Sequence, residues 1–554
     1  MPDKKRTFRK RLFWIAAIIV AIPFAAQLAL QIYLNSYLSD FAKKLEESSG
    51  YKYRFHFDKV SYRILSSSVY IAGFKAEAND SLENRSAFSS DHISVSGIGL
   101  VSYLFHNKIV IDRITINGAN INVQVAAGPG DEKPDSSITF SPYEAIRGKI
   151  SSVFIRDIDI GETAIRYFDH ITDTVPSLVS ANSSLLLENL LIDSTVTYKY
   201  KRWFDADKFI IISKDFKYTT KDSLYTFHFS KLLLSYRDSL IEMDSVKMIP
   251  NFSESQFGYK KGSQTDRIDL QISNMLVTHI SVKGLMEKRK VITPYIRIQD
   301  LQLRAYRDKK VRRIEKRVAT MQQLVKSIPL YLNVDSITVS NGFVQYKELA
   351  PESAKPGYIY FDKIQGTVTN ITNDTLEPAG DLMIRASARL MGHGEISTYV
   401  SFPYDKDGLF EVNGRLGTMD MKKLNVMLEN NAAVSIREGT IKDATFAFTA
   451  NKIRSKGTLV LRYDNLSVDI LNKETRESSA IKEMVSSALA NNLIIINDNP
   501  EDGKDVRKAA MGFERNPNRF IFNYFWKTIF SGIKETVGMN RIQSKSKKEK
   551  RNKK

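Results

Sequence analysis

The chain has 554 residues, with 81 Lys and Arg against 62 Asp and Glu, and it has no cysteine. A disulfide framework, a cysteine-based metal site and a catalytic thiol are thereby excluded. An apolar share of 43% is enough to build a large core, which excludes wholesale disorder. The net charge of +19 is concentrated at the ends: residues 1–11 carry +5 and residues 541–554 carry +7. The body is nearly balanced, and a nucleic-acid partner is not expected, because that needs a basic stripe on the folded part.

After the basic segment 1–11, no charged side chain occurs from Leu12 to Ser39. Residues 12–34 read as a transmembrane anchor, with Leu12, Trp14, Ile18, Ile19, Leu30 and Tyr33 marking its interior and its two interfaces. The length of the run and the lack of an Ala-x-Ala pair favour an anchor over a cleaved signal peptide. The positive flank keeps the N-terminus in the cytoplasm. The expected location is therefore a bacterial inner membrane, single-pass, with the bulk of the chain in the periplasm. Residues 35–49 read as a short amphipathic helix, with Leu38, Phe41, Ala42 and Leu45 on one face.

From Tyr51 the apolar period changes from 3.6 to 2, and short strands broken by polar turns follow. Residues 50–308 and 329–472 read as the two parts of a β-rich body. One pattern recurs: two alternating apolar residues, an interruption with Asp, then two more in the opposite phase. Phe55-x-Phe57/Asp58/Val60-x-Tyr62, Ile109-x-Ile111/Asp112/Ile114-x-Ile116 and Leu332-x-Val334/Asp335/Ile337-x-Val339 are examples. Val153-x-Ile155/Asp157/Ile158-x-Ile160 and Ile359-x-Phe361/Asp362/Ile364 are variants. A regular strand would send the second pair to the opposite face. Either the sheet is apolar on both sides there, or, as is favoured, a β-bulge at the Asp turns all four residues one way and bends the sheet. Asn117-Gly118, Asn341-Gly342 and Asn413-Gly414 are read as two-residue hairpin turns.

Residues 309–328 carry a stripe of Val311, Ile314, Val318, Met321, Val325 and Ile328 and read as an amphipathic helix packed on the sheet. Residues 473–540 read as a helical C-terminal region. Within it, Phe522, Phe525, Trp526, Ile529, Phe530 and Ile533 form an aromatic stripe ahead of the basic tail 541–554, which reads equally as a helix attracted to an anionic membrane surface or as one docked on the end of the sheet with a solubilising tail behind it. No His-Glu-x-x-His, Gly-x-Ser-x-Gly or phosphate-loop motif occurs, and the seven histidines never pair at ligand spacing. No catalytic, metal or cofactor site is expected.

The order of anchor, helix, Ser49-Gly50 and the strand run YKYRFHFDKVSYRILSSSVYIAGFKA, followed by ISVSGIGLVSYLFHNKIVIDRITINGANINV, resembles the AsmA-like family. The likeness lies over residues 10–125. It implies a mainly β, elongated and curved antiparallel groove with an apolar lining, a membrane anchor, and a role in carrying phospholipid to the outer membrane or in assembling it. On that reading Phe55, Phe57, Ile109, Ile111, Ile114, Ile116, Leu332, Val334, Ile337 and Val339 line the groove. The rival expectation is an anchored scaffold or assembly factor with closed β-cores and no lipid cargo.

Overall fold

Long strands dominate the computed structural model. It describes residues 42–539 except 44–45, 48–49, 65, 80–84, 126–142, 144–145, 149, 171, 200–203, 283, 286–288, 375–379, 407 and 473–494. The expected anchor at 12–34 and the tail 541–554 lie outside the described residues. No helix among the described residues is long and apolar enough to cross a membrane. Of the helix expected over 35–49, Ala42, Lys43, Glu46 and Glu47 are helical, and most of the rest lies outside the described residues.

The chain divides into two units: Met1–Lys221 with His228–Leu240, and Asp222–Phe227 with Ile241–Lys554. The strands of the first are β1 (Tyr53–His56), β2 (Lys59–Arg63), β3 (Ser68–Ala78), β4 (Arg85–Ser96), β5 (Lys108–Asn117), β6 (Asn120–Gln124), β7 (Ser152–Phe168), β8 (Leu178–Asp193) and β9 (Lys208–Thr219), with most of β10 (Tyr225–Ser235). One short helix, α1 (Leu100–His106), joins β4 to β5. Both β1 and β2 pair with β3, and both β5 and β6 pair with β4, all antiparallel. The pair β5 and β6 then runs parallel to β7, and antiparallel pairing resumes through β8 and β9.

The parity change at the recurrent Asp is real, but its cause is not the expected bulge. Lys59 pairs with Ala72 and His56 with Lys75, so the register passes Asp58 without an extra residue. Instead, Gly73 on the neighbouring strand is left-handed, with φ 62. The Asp58 carboxylate fills the space where its side chain would stand: a Cβ there would lie 1.8 Å from Asp58 Oδ2. Gly118 beside Asp91 and Gly97 beside Asp112 repeat the relation, and Glu162, next in the row on β7, is also left-handed. Each such row is a crease: both strands change phase together, so the ladder survives while the apolar side chains stay on one side.

This also corrects the turn reading. Asn117-Gly118 lies between β5 and β6, which continue along β4 in one register, so the chain is kinked there and does not reverse. Asn341-Gly342 and Asn413-Gly414 lie inside strands as well.

The second unit has β11 (Leu240–Pro250), β12 (Asp266–Thr278), β13 (Lys290–Gln299), β14 (Gln302–Asp308), β15 (Tyr331–Leu349), β16 (Gly357–Thr372), β17 (Leu382–Leu390), β18 (Gly394–Phe402), β19 (Phe410–Leu416), β20 (Met419–Asp420), β21 (Val434–Ala450), β22 (Arg454–Ile470) and β23 (Lys508–Glu514). Its helices are α2 (Glu254–Lys261), α3 (Met321–Lys326), α4 (Asn425–Ala432) and α5 (Ile521–Thr536). The broken strand recurs. Both β13 and β14 pair with β12 in one register and run parallel to β15, with the left-handed Asp300 and Asn341 side by side and Asn341 Nδ2 donating to Asp300 Oδ1 at 2.6 Å. A bulge that shifts the register does occur at Asp362, between β16 and β17.

The helix expected over 309–328 is only α3. Residues 309–319 are neither helix nor strand, and their backbone pairs elsewhere: Gln264 N donates to Arg312 O at 2.9 Å and Val318 N to Pro517 O at 2.8 Å. Thr320 then starts α3 with a reciprocal capping box to Gln323. Likewise 473–540 is not wholly helical, since it contains β23.

Substituting Gly73 by Ala should lower the unfolding free energy by on the order of 1–2 kcal/mol from the left-handed backbone alone, with a further steric cost against Asp58. Asp58→Ala in that background should restore the steric part. Urea unfolding of both variants measures it, and a neutral Gly73→Ala would contradict the role of the crease.

Candidate functional site

The first unit carries a continuous apolar surface. Across one row the register aligns Val60, Ile71, Ile93, Ile116, Ile160 and Leu185. Beyond the crease at Asp58 the same side continues with Phe55, Ala76, Phe88, Ile121 and Ile165. An aromatic ladder joins the first strands there: Phe57 to Phe74 at 5.3 Å and Phe74 to Phe88 at 5.7 Å between ring centres.

Small residues mark the inside of this crease. Ser90, Ala119, Thr163, Ser183 and Ser213 follow one another across five strands, and all are buried. The Ser90 hydroxyl donates to Asn117 O at 2.9 Å, and the Ser180 hydroxyl is 2.7 Å from those of Ser183 and Ser213. Their polarity is thus absorbed locally, and a small side chain is what the inside of a fold in the sheet can hold. Asp58, Asp91 and His92 on the outside are exposed.

The second crease lies in the row of Asp112. Asp112 Oδ1 is 3.1 Å from Arg156 Nη2, and the left-handed Asn189 donates to Asp207 Oδ2 at 2.8 Å. On the apolar side Ile111 pairs with Ile155 and Ile114 with Ile158, and Ile155 and Ile158 pair with Leu190 and Leu187. These residues form one cluster, of which Ile155, Ile158, Leu187 and Leu190 are the buried part and Ile111 and Ile114 the half-buried part. Ile109 and Ile116 lie on the same strand and are half-buried, as is Phe55, while Phe57 is buried. The carboxylates of the pattern therefore build the sheet, and they do not converge.

Leu332, Val334, Ile337 and Val339 stand in a different setting. They lie on β15 in the second unit, where Val334 is 1% exposed within a large closed cluster and Leu332 and Ile337 pack against it. Phe402, Leu459 and Tyr463 in that cluster are equally sealed. A separate hollow of about 760 Å³ is lined by polar and apolar groups together, among them Thr338, Val339, Thr367, Arg385, Ala386 and Tyr399.

The C-terminal helix α5 closes this core. Its Tyr524, Thr528, Gly532 and Thr536 are buried at i, i+4 spacing, and Phe525, Ile529 and Ile533 pack on the cluster. The Thr528 and Ser455 hydroxyls meet at 2.7 Å, and burial pushes the Tyr524 phenol up to about 12. Phe522 and Trp526 remain exposed, with Trp526 stacked on Phe530 at 5.6 Å. The aromatic stripe read from the sequence is thus divided between an inward and an outward part. The buried small-residue face was not legible, because its Thr and Gly positions carry no hydrophobic signal.

Also unread in the sequence was the exposed apolar tip of α1, although Val101, Leu104 and Phe105 follow helical spacing there. Among the described residues no group of three His, Cys, Asp or Glu could hold a metal ion. No protein-family model matches the chain, and no curated protein matches it.

Gly532 sets how closely α5 approaches the sheet, since a Cβ would come within 2.7 Å of Met511 Cγ and 3.0 Å of Leu459 Cβ. Gly532→Leu should destabilise the second unit by about 1–3 kcal/mol through overpacking. Phe522→Ala should change stability by less than about 0.5 kcal/mol. Chemical denaturation of the two variants separates the docked face from the free one.

Proposed function

We propose that the protein is an envelope protein, anchored in the bacterial inner membrane by residues 12–34, whose first unit holds phospholipid acyl chains against its apolar surface in transport toward, or assembly of, the outer membrane. The observation that carries this reading is the apolar side of the first unit, which resumes beyond each crease while most of its side chains stay only half-buried. Covering one large apolar side chain contributes ~1.5–3 kcal/mol, so a broad surface of this kind favours a hydrocarbon cover over water. Acyl chains make no directional bonds, and an apolar surface without a polar cluster suits them. The likeness to the AsmA-like family points the same way. The outward Phe522 and Trp526, followed by the basic tail 541–554, supply a contact for an anionic membrane surface.

A specific observation favours the scaffold reading for the second unit. Its apolar residues seal one another, Val334 included. The lipid-holding role is therefore assigned to the first unit, with the second as a closed body.

A photocrosslinking amino acid placed at Ile111, Ile114 and Ile160 in cells should yield phospholipid adducts, and one at Val334 should yield none. Adducts only to neighbouring strands at all four positions would establish the cargo-free scaffold.

A further inference from the structure

Four large apolar side chains stand in the open on α1. Val101 is 67% exposed, Tyr103 49%, Leu104 72% and Phe105 76%. The helix is firmly based. Ile98 N donates to Ser67 O at 3.1 Å and Gly99 N to Val110 O at 2.8 Å, and the left-handed Asn107 caps the other end through its N–H to Ser102 and Tyr103 carbonyls. It is thus a fixed projection at the ends of β4 and β5.

We propose that α1 is an interfacial finger that inserts Val101, Tyr103, Leu104 and Phe105 into the headgroup–acyl boundary of a phospholipid bilayer. The surroundings identify the occupant. From His92 to Ile111 there is no Asp or Glu, while the exposed Lys108 follows the helix. The exposed Arg63 stands at the adjoining hairpin with its guanidinium 4.5 Å over the Tyr70 ring. Aliphatic and aromatic side chains at the tip, with Lys108 and Arg63 near the base and the nearby Asp112 carboxylate already paired with Arg156 at 3.1 Å, are complementary to a bilayer interface with phosphate headgroups. The inference rests on the anchoring part of the proposed function and is independent of the lipid-holding surface.

The absence of cysteine makes the test direct. Leu104→Cys and Phe105→Cys are labelled with an environment-sensitive fluorophore in the full chain, with Tyr259→Cys as an exposed control. Each is reconstituted into phosphatidylethanolamine–phosphatidylglycerol vesicles with or without shallow nitroxide lipids. The expected result is a blue shift at 104 and 105 and roughly twofold or stronger quenching there, with neither at 259. A Leu104→Glu, Phe105→Glu variant should lose the quenching of a label on Val101→Cys while keeping its thermal unfolding midpoint. Emission like that of the control, or a blue shift insensitive to nitroxide lipids, would overturn the proposal, the latter by showing a protein cover. Flotation with the vesicles is scored separately. A chain that floats without quenching removes the finger alone, and one that does not float removes the anchor reading with it.

Discussion

A β-strand presents successive side chains to opposite sides, so a sheet can hold one apolar surface across a phase change in its sequence only if the backbone changes phase too. The first unit meets this constraint row by row. Where one strand offers Asp58 or Asp112, its neighbour offers a left-handed Gly73 or Gly97, and the carboxylate occupies the place of the missing side chain. Because the neighbour yields at the same row, no residue is inserted at Asp58 and the pairing on either side of it keeps its register, whereas between β7 and β8 the register shifts around Thr163. The buried Ser90, Ala119 and Thr163 complete the arrangement by keeping the inside of the crease small. The apolar surface, its continuity and any role in holding hydrocarbon all follow from this pairing of carboxylate and glycine.

Much of this was legible in the sequence, and what was not has physical reasons. The apolar pairs around Asp112 could be read as facing one way, since their spacing breaks parity. The device could not, because the left-handed partner lies on another strand and only the fold brings it alongside. Asn117-Gly118 carries the chemistry of a tight turn, yet the same left-handed residue serves a straight-through kink when both flanking segments find one common partner strand. Residues 309–319 have a helical stripe, but tertiary pairing with Gln264 and Pro517 outweighs a weak local preference. Sealed and open apolar residues also look identical in sequence, so Val334 and Ile114 were grouped together although one lies in a closed core and the other on a half-covered surface.

The two units use one structural idea to different ends. A strand broken at a left-handed residue, a return segment and a long parallel strand occur in both, at Gly118 with Glu162 and at Asp300 with Asn341. In the second unit the apolar side is covered by further strands and by α5, with Gly532 and Thr528 drawing the helix close. In the first, the buried cluster is small and the rest of the apolar side stays partly open. That difference separates a structural body from a surface available to hydrocarbon.

The most direct test is a cysteine scan of β7 in the otherwise cysteine-free chain, read with a membrane-impermeant maleimide. A crease that keeps one apolar side predicts protection at Ile155, Ile158 and Ile160, labelling at Arg156 and Asp159, and two successive non-protected positions at Arg156 and Asp157. Strict alternation through Ile155, Asp157 and Asp159 on one side, with Ile158 and Ile160 reactive on the other, would contradict it.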